Sequence, residues 1–126
     1  MLKFHAVVYG DSGQASPGSG PLPVSFDDAL TRLGRLPRLF IEPDGSFVWT
    51  GDSDGETWQV DGNLLDQGET LACVEVKGRC PEEHFGQLLA AFGWPQTRLS
   101  FQLPQRGVLQ GEAEFRELAA TGSGAV

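Results

Sequence analysis

The chain has 126 residues, a mass of 13.6 kDa and a net charge of −8, from 9 basic and 17 acidic residues. Hydrophobic residues make up 40% of it, which is too apolar for a disordered chain, and no apolar run approaches the roughly 18–20 residues of a membrane span. These values exclude a membrane-spanning protein, a disulfide-stabilised miniprotein and a multidomain enzyme, and they predict one domain over residues 1–120 with a frayed tail over 121–126.

The first half of the chain predicts one helix among strands and turns. Apolar and polar residues alternate over 2–9, which predicts a strand, and the Gly/Ser/Pro-rich stretch 10–23 predicts a flexible loop. Ser25 is typical of a helix N-cap, and Pro37 ends the predicted helix. Two short strands follow around a Pro-Asp-Gly turn, and then an acidic loop; their predicted ranges are 38–42, 46–50 and 51–56.

The second half predicts a hairpin, two helices and two more strands. The predicted hairpin strands are 57–65 and 69–77, the helices begin at Pro81 and Glu112, and the last strands are 98–103 and 107–109. The pattern indicates an α+β fold, with a mostly antiparallel sheet of about five or six strands and about three helices packed on one sheet face.

Side-chain alternation assigns the hairpin residues to two faces. A three-residue loop at 66–68 keeps the apolar residues on the core side, whereas a two-residue loop would mix core and charge. This register predicts Val60 opposite Val74 and Asp61 opposite Cys73. The polar face then carries Gln59, Asp61, Asn63, Cys73, Glu75 and Lys77.

A short motif lies on that polar face. The sequence is VDG at 60–62 and VEVKG at 74–78, which places an Asp on one predicted strand and Glu-x-Lys on the next. This arrangement resembles the PD-(D/E)XK nuclease superfamily, and the element order between 25 and 103 is similar to that family's core. The resemblance implies that Asp61 and Glu75 hold Mg²⁺ or Mn²⁺ and that Lys77 contacts the reacting phosphate. It implies a divalent-metal-dependent phosphodiesterase, or an inactive relative of one.

The negative charge is concentrated in the middle of the chain. No basic residue lies between Arg38 and Lys77, and nine acids do: Glu42, Asp44, Asp52, Asp54, Glu56, Asp61, Asp66, Glu69 and Glu75. A block of this sign repels phosphate backbones, so no nucleic-acid partner is expected. The block could bind a basic protein surface or a cation, or it could simply be a solvated face. Binding to a basic protein should weaken as the salt concentration rises.

Three further patterns are candidate sites. The GDSG text at 10–13 is similar to a serine-protease nucleophile loop, which would need His5 or His84 nearby. Cys80 and His84 have the one-turn spacing of zinc ligands, with Cys73 as a candidate third ligand. A candidate for weak Ca²⁺ binding is the oxygen-rich run that contains Asp52, Asp54 and Glu56. The ordinary alternatives are a flexible turn, a helix start and an acidic turn.

The two cysteines are predicted to be free thiols. A strand from Cys73 to Lys77 carries the chain roughly 13 Å away, and three further residues are too few to return Cys80 to disulfide distance. Free thiols are typical of a reducing compartment, and the first residues, MLKFHAVVYG, lack the layout of a signal peptide. The sequence therefore predicts a cytoplasmic protein with no membrane partner.

The residues that carry chemistry are few, so the sequence favours a small, acidic, non-catalytic domain that binds a protein or small ligand and needs no cofactor. Trp49 and Trp58 are predicted in the core, and Trp94, after a helix end, is predicted as a surface contact residue. The predicted binding residues are Gln59 and Asn63 on the polar face, together with Trp94. The alternative is the metal-dependent phosphodiesterase, which requires the two carboxylates of the motif to share a sheet face and to lie close enough to bridge one ion.

Overall fold

A computed structural model of the chain describes residues 1–11, 18–104 and 106–122. The elements, in chain order, are β1 (Leu2–Gly10), α1 (Phe26–Gly34), β2 (Leu39–Ile41), β3 (Ser46–Ser53), β4 (Glu56–Gln67), β5 (Thr70–Cys80), α2 (Glu82–Ala90), β6 (Leu99–Gln102), β7 (Leu109–Gly111) and α3 (Glu112–Ala120). The predicted α+β fold is confirmed, and the sheet has seven strands, slightly more than the sequence indicated.

All seven strands pair antiparallel, in the order β2-β3-β4-β5-β1-β6-β7. The run from β2 to β5 is a meander, and β1 then pairs with the free edge of β5. The first strand of the chain therefore lies inside the sheet, between β5 and β6. Its apolar set is buried as predicted, and its members are Leu2, Phe4, Ala6 and Val8.

The helices pack on one face of this sheet and build the core with it. Phe4 of β1 contacts Phe85 of α2 at 4.8 Å between ring centroids, and Phe101 of β6 stacks on Phe115 of α3 at 4.6 Å. All four rings are fully buried, and each such burial contributes roughly 1.5–3 kcal/mol to the free energy of unfolding. The opposite face, which we call the outer face, is covered by no helix among the described residues.

The prediction of an acidic loop at 51–56 is wrong, because most of that range lies in β3 and β4. The strands pair as far as Ser53 and Glu56, and only Asp54 and Gly55 form the turn. Both turn residues have positive φ, 51° and 79°, as a type I′ hairpin turn requires. Asp-Gly is a strong hairpin signal, and it places the neighbouring acids on strands rather than in a loop.

The β4–β5 hairpin keeps the predicted faces but has a different register. The turn residues are Gly68 and Glu69, and a bulge beyond Leu65 inserts one extra residue on β5. Asp61 therefore lies opposite Lys77, four residues beyond the predicted Cys73. The predicted Val60–Val74 and Asp61–Cys73 pairs are wrong, but a shift by an even number of residues leaves every side chain on its predicted face.

The ends of the stretch 10–23 are anchored to the sheet. Gly10 forms a bridge with Gly20, and the Leu22 amide donates to the carbonyl of Leu71 at 2.8 Å. Residues 12–17 of the predicted flexible loop and residues 123–126 of the predicted frayed tail lie outside the described residues. At the start of α1, the Ser25 hydroxyl accepts a hydrogen bond from the Asp28 amide, as the N-cap prediction requires. No helix in the described part of the chain is long and apolar enough to cross a membrane.

Candidate functional site

The antiparallel register arranges the outer-face side chains of β4, β5 and β1 in rows. Strand geometry places successive rows about 6.8 Å apart, at 3.4 Å per residue. From one end of the sheet to the other, the rows are Gln59–Arg79–Lys3, then Asp61–Lys77–His5, then Asn63–Glu75–Val7. The structure thus brings together the predicted residues Gln59, Asp61, Asn63, Glu75 and Lys77, and it adds side chains from β1.

Asp61 and Glu75 share the outer face, as predicted, and each has its own hydrogen-bond partner. Gln59 Nε2 donates to Asp61 Oδ1 at 3.0 Å, and His5 Nε2 lies 2.9 Å from Glu75 Oε2. The two carboxylates are diagonal neighbours across β4 and β5, with Lys77 directly opposite Asp61. The bridging of one metal ion by both carboxylates stays a prediction.

A first cleft, which we call the basic cleft, opens on the outer face with a volume of about 540 Å³. Its walls are side chains from three adjacent strands: Lys3, His5, Thr57, Gln59, Lys77 and Arg79. Gly78 lies at its base with φ +145°, where a Cβ atom would lie 2.1 Å from the Gln59 carbonyl oxygen. Only glycine permits this close approach of β5 to β4.

A second cleft, which we call the acidic cleft, adjoins the first and has a volume of about 300 Å³. It is lined by His5, Asp61, Gly62, Asn63, Glu75 and Lys77. The two clefts share His5 and Lys77, so they adjoin and together form a depression with Lys3 and Arg79 at one end and the carboxylates of Asp61 and Glu75 toward the other.

The basic cleft is lined by three of the nine Lys and Arg side chains of an acidic protein. Lys3 and Lys77 are the only two lysines of the chain, and both line this cleft. Within the described ranges, neither ammonium group lies within 4 Å of a carboxylate or makes a hydrogen bond. Arg79 makes one contact, a donation to the Thr57 carbonyl at 3.3 Å. The cleft therefore holds cationic donors that are available to a ligand.

The acids of the candidate Ca²⁺ run are dispersed. Asp52 lies on β3, where Arg38 and Thr57 donate to its carboxylate at 2.9 Å each. The Arg38 hydrogen bond, followed by that from Thr57, lowers the pKa of Asp52 below its ordinary value. Asp54 lies at the turn and Glu56 begins β4. Among residues 1–11, 18–104 and 106–122, no three His, Cys, Asp or Glu side chains are grouped so as to hold a metal ion.

The candidate zinc ligands do not meet. Cys73 and Cys80 are free thiols, as predicted, and they project from opposite faces of β5, with Cys80 in the core. Burial raises the pKa of Cys80 to about 12, so the thiolate that zinc requires is strongly disfavoured there. The His84 ring packs against Trp58 and Trp49, with centroid distances of 5.0 and 5.9 Å. Both tryptophans are buried as predicted, at 2% and 1% exposure.

Trp94 lies on the helical side of the sheet, away from the other two predicted binding residues. It is half-buried, and the Arg116 guanidinium lies 5.1 Å from its ring and 5.3 Å from that of Phe85. Trp94 and Arg116 line an open groove of about 830 Å³ between α2 and α3, together with Glu82, Glu83, Gly86, Gln87, Ala90 and Glu112. The GDSG text lies partly outside the described residues.

The acidic block does not form one patch. Eight of its nine acids are exposed, and they are divided among the hairpin turns at both ends of the meander and the outer face itself. An interaction of this block with a basic protein stays a prediction.

Sequence reasoning missed three residues of the site: Lys3, His5 and Arg79. Alternation in β1 indicates that Lys3 and His5 share the face opposite its apolar set. What the sequence does not indicate is that β1 pairs with β5.

No protein-family model, curated protein or solved structure matches this chain. The geometry of the outer face is therefore the basis for its interpretation.

Proposed function

We propose that this protein is a small, non-catalytic binding domain that takes a small ligand in the two clefts of its outer face. One observation carries the proposal: one side of the sheet is packed by helices, while the other presents two adjoining clefts on three interior strands, with polar and charged side chains around both. Its two volumes, about 540 and 300 Å³, fall within or at the edge of the range of roughly 300–1,000 Å³ typical of ligand sites. Gln59 and Asn63, predicted as binding residues, line it.

The non-catalytic part of the proposal rests on the partners of the titratable groups. His5 and Glu75 form a His–carboxylate pair through one nitrogen of the imidazole ring. A nucleophile activated by His5 would therefore have to lie beside the other ring nitrogen. Thr57 is the only hydroxyl residue that lines the basic cleft among the described residues, and its hydroxyl donates to Asp52 at 2.9 Å.

We place the domain in the cytoplasm, because both cysteines are free.

The proposal is tested by filling the clefts. Gln59→Trp adds bulk at an exposed position on the wall of the basic cleft, and Gln87→Trp does the same at an exposed position in the helical groove. Small molecules that raise the melting temperature of the wild type should lose this effect in Gln59→Trp and keep it in Gln87→Trp. The reverse pattern would contradict the proposal and assign binding to the groove beside Trp94.

A metal-dependent phosphodiesterase is the second candidate function. It is favoured by one observation, that Asp61, Glu75 and Lys77 all line the acidic cleft. Thermal unfolding with millimolar Mg²⁺, Mn²⁺ or Ca²⁺ tests it, with Asp61→Ala/Glu75→Ala as the matched variant. A ligand at about 100 times its dissociation constant stabilises a protein by roughly 2.7 kcal/mol, which is a shift of several degrees. A shift that the double variant abolishes would support this function, and no shift would contradict it.

A further inference from the structure

The basic cleft contains one cross-strand pair of like charge, since Lys3 lies directly opposite Arg79. Lys77, the third cation of the cleft, lies two residues before Arg79 on the same face of β5. Directly opposed side chains on neighbouring antiparallel strands have Cβ atoms about 4.5–5.5 Å apart, and like charges there destabilise the sheet. A cluster of this kind is stabilised when an anion lies between its members.

Asp61 lies directly opposite Lys77 on β4, but no acid of the described residues forms an ion pair with Lys77, Lys3 or Arg79. Glu75 is engaged by His5, and Asp61 accepts from Gln59. Neither lysine has a carboxylate within 4 Å in the part of the chain that the structure describes. Arg79 uses one N–H on the Thr57 carbonyl, and a guanidinium has five N–H donors. The cleft thus presents two ammonium groups and further guanidinium N–H donors.

From these contacts we infer that the basic cleft binds the oxyanion group of a small ligand, a phosphate or a carboxylate. The inference deepens the proposed function and rests on it. Hydrogen bonds from charged donors to an oxyanion are short and about twice as strong as neutral ones, and Arg can hold two oxygens at once. Lys3, Lys77 and Arg79 are the donors, and Gln59 offers a neutral contact at the rim.

The surroundings restrict this ligand to a small one. The adjoining acidic cleft presents Asp61 in the same row as Lys77 and Glu75 in the next row, so negative charge is attracted only at the end of the depression that holds Lys3 and Arg79. The acids of the hairpin turns add repulsion at both ends of the meander. A long polyanion would have to cross these regions, whereas a compact oxyanion does not. The remainder of the ligand extends over Lys77 and His5 toward the acidic cleft, where a neutral or cationic group is preferred.

Titration calorimetry with pyrophosphate and with citrate tests the inference, and comparing them separates phosphate from carboxylate preference. Lys3→Ala/Lys77→Ala removes two charges from the cleft. Arg32→Ala/Arg35→Ala removes the same charge from exposed positions on and just after α1. We expect at least one oxyanion to bind the wild type, with the lysine variant weakening binding by about tenfold or more and the arginine variant by less than about twofold.

Several outcomes would overturn the inference. They are binding of neither oxyanion, binding that survives in the lysine variant, an equal loss in both variants, and binding of a long polyanion such as heparin where neither small oxyanion binds. Failure of the inference remains distinct from failure of the proposed function. If neutral molecules lose their effect in Gln59→Trp while neither oxyanion binds, the outer face is the binding face and the oxyanion assignment is wrong.

Discussion

Two glycines in the sheet have aromatic residues as their cross-strand partners. Gly62 of β4 lies opposite Phe47, and Gly51 of β3 lies opposite Trp58. A Cβ atom at position 62 would lie 2.0 Å from Phe47 Cζ, and one at position 51 would lie 2.2 Å from Trp58 Cζ2. The rings therefore occupy the space that side chains at these two positions would take, on the core side of the strands. The same strands carry the outer-face residues, so this packing also fixes the site.

Gly62→Ala and Gly51→Ala should each lower the free energy of unfolding by about 1–3 kcal/mol, because the methyl group must displace a packed ring. Gly34→Ala, the last residue of α1, is the matched control, since nothing lies within 4 Å of its Cβ position. It should be neutral or stabilising by up to about 1 kcal/mol. Urea unfolding of the three variants measures this. Equal effects at all three positions would contradict the packing account.

The buried thiol of Cys80 makes the stability of the protein depend on alkaline pH. Burial raises its pKa from the ordinary 9.0 to about 12. Below pH 9 the thiol is protonated in both the folded and unfolded chains, so it adds no pH dependence. Above pH 9 the unfolded chain loses a proton that the folded chain retains, and the free energy of unfolding falls as pH rises toward 12, by at most about 1.4 kcal/mol per unit.

Cys80→Ala should remove this slope. The difference in the free energy of unfolding between the wild type and Cys80→Ala is expected to be constant up to about pH 8.5 and to shift in the variant's favour above it. Urea unfolding at several pH values between about 8 and 10.5 measures the difference. Parallel curves over that range would show that the thiol ionises equally in the folded and unfolded states.

At the scale of the element, the sequence predicted which faces the hairpin residues occupy better than it predicted their partners. Alternation assigned Asp61, Glu75 and Lys77 to one face, and the structure agrees. The predicted register is wrong because a three-residue loop is one way to keep the apolar residues on one face, whereas the chain uses a two-residue turn and a bulge beyond Leu65. A bulge leaves no strong mark in one sequence, so a loop and a bulge were equivalent solutions.

The position of β1 could not be predicted for a different reason. A strand's alternation determines which of its residues are buried, but the choice of neighbour depends on long-range packing. In this fold β1 inserts between β5 and β6. That placement carries Lys3 and His5 to Arg79 and Lys77, some seventy residues along the chain, and so creates the basic cleft.

The turn between β3 and β4 gives a prediction for its element. Gly55 has φ +79° and its Cβ position is unobstructed, so any substitution effect there is conformational. Gly55→Ala should lower the free energy of unfolding by about 1–2 kcal/mol, because alanine resists the left-handed region, and Gly55→Asn should cost less. Urea unfolding compares the two. An alanine variant as stable as the asparagine variant would contradict the assigned turn geometry.

For the whole molecule, one side of the sheet serves stability and the other presents chemistry. The helical side buries the aromatic core, and its open groove is occupied at one edge by Arg116, which lies against the Phe85 and Trp94 rings and pairs with Glu112 and Glu82. The outer side carries Lys3 and Lys77 without carboxylate partners among the described residues. Arg32 and Arg35 are exposed as well, on and just after α1, so the outer side is distinguished by the three cations, Lys3, Lys77 and Arg79, that line one cleft.

The central claim is that binding occurs in the basic cleft of the outer face. The most direct test is an amide chemical-shift map of the wild-type protein titrated with pyrophosphate. We expect the largest shifts in β1 near Lys3 and His5, in β4 near Gln59 and in β5 from Lys77 to Arg79, with little change around Trp94. Shifts confined to α2, α3 and the Trp94 groove, or the absence of shifts at millimolar pyrophosphate, would contradict it.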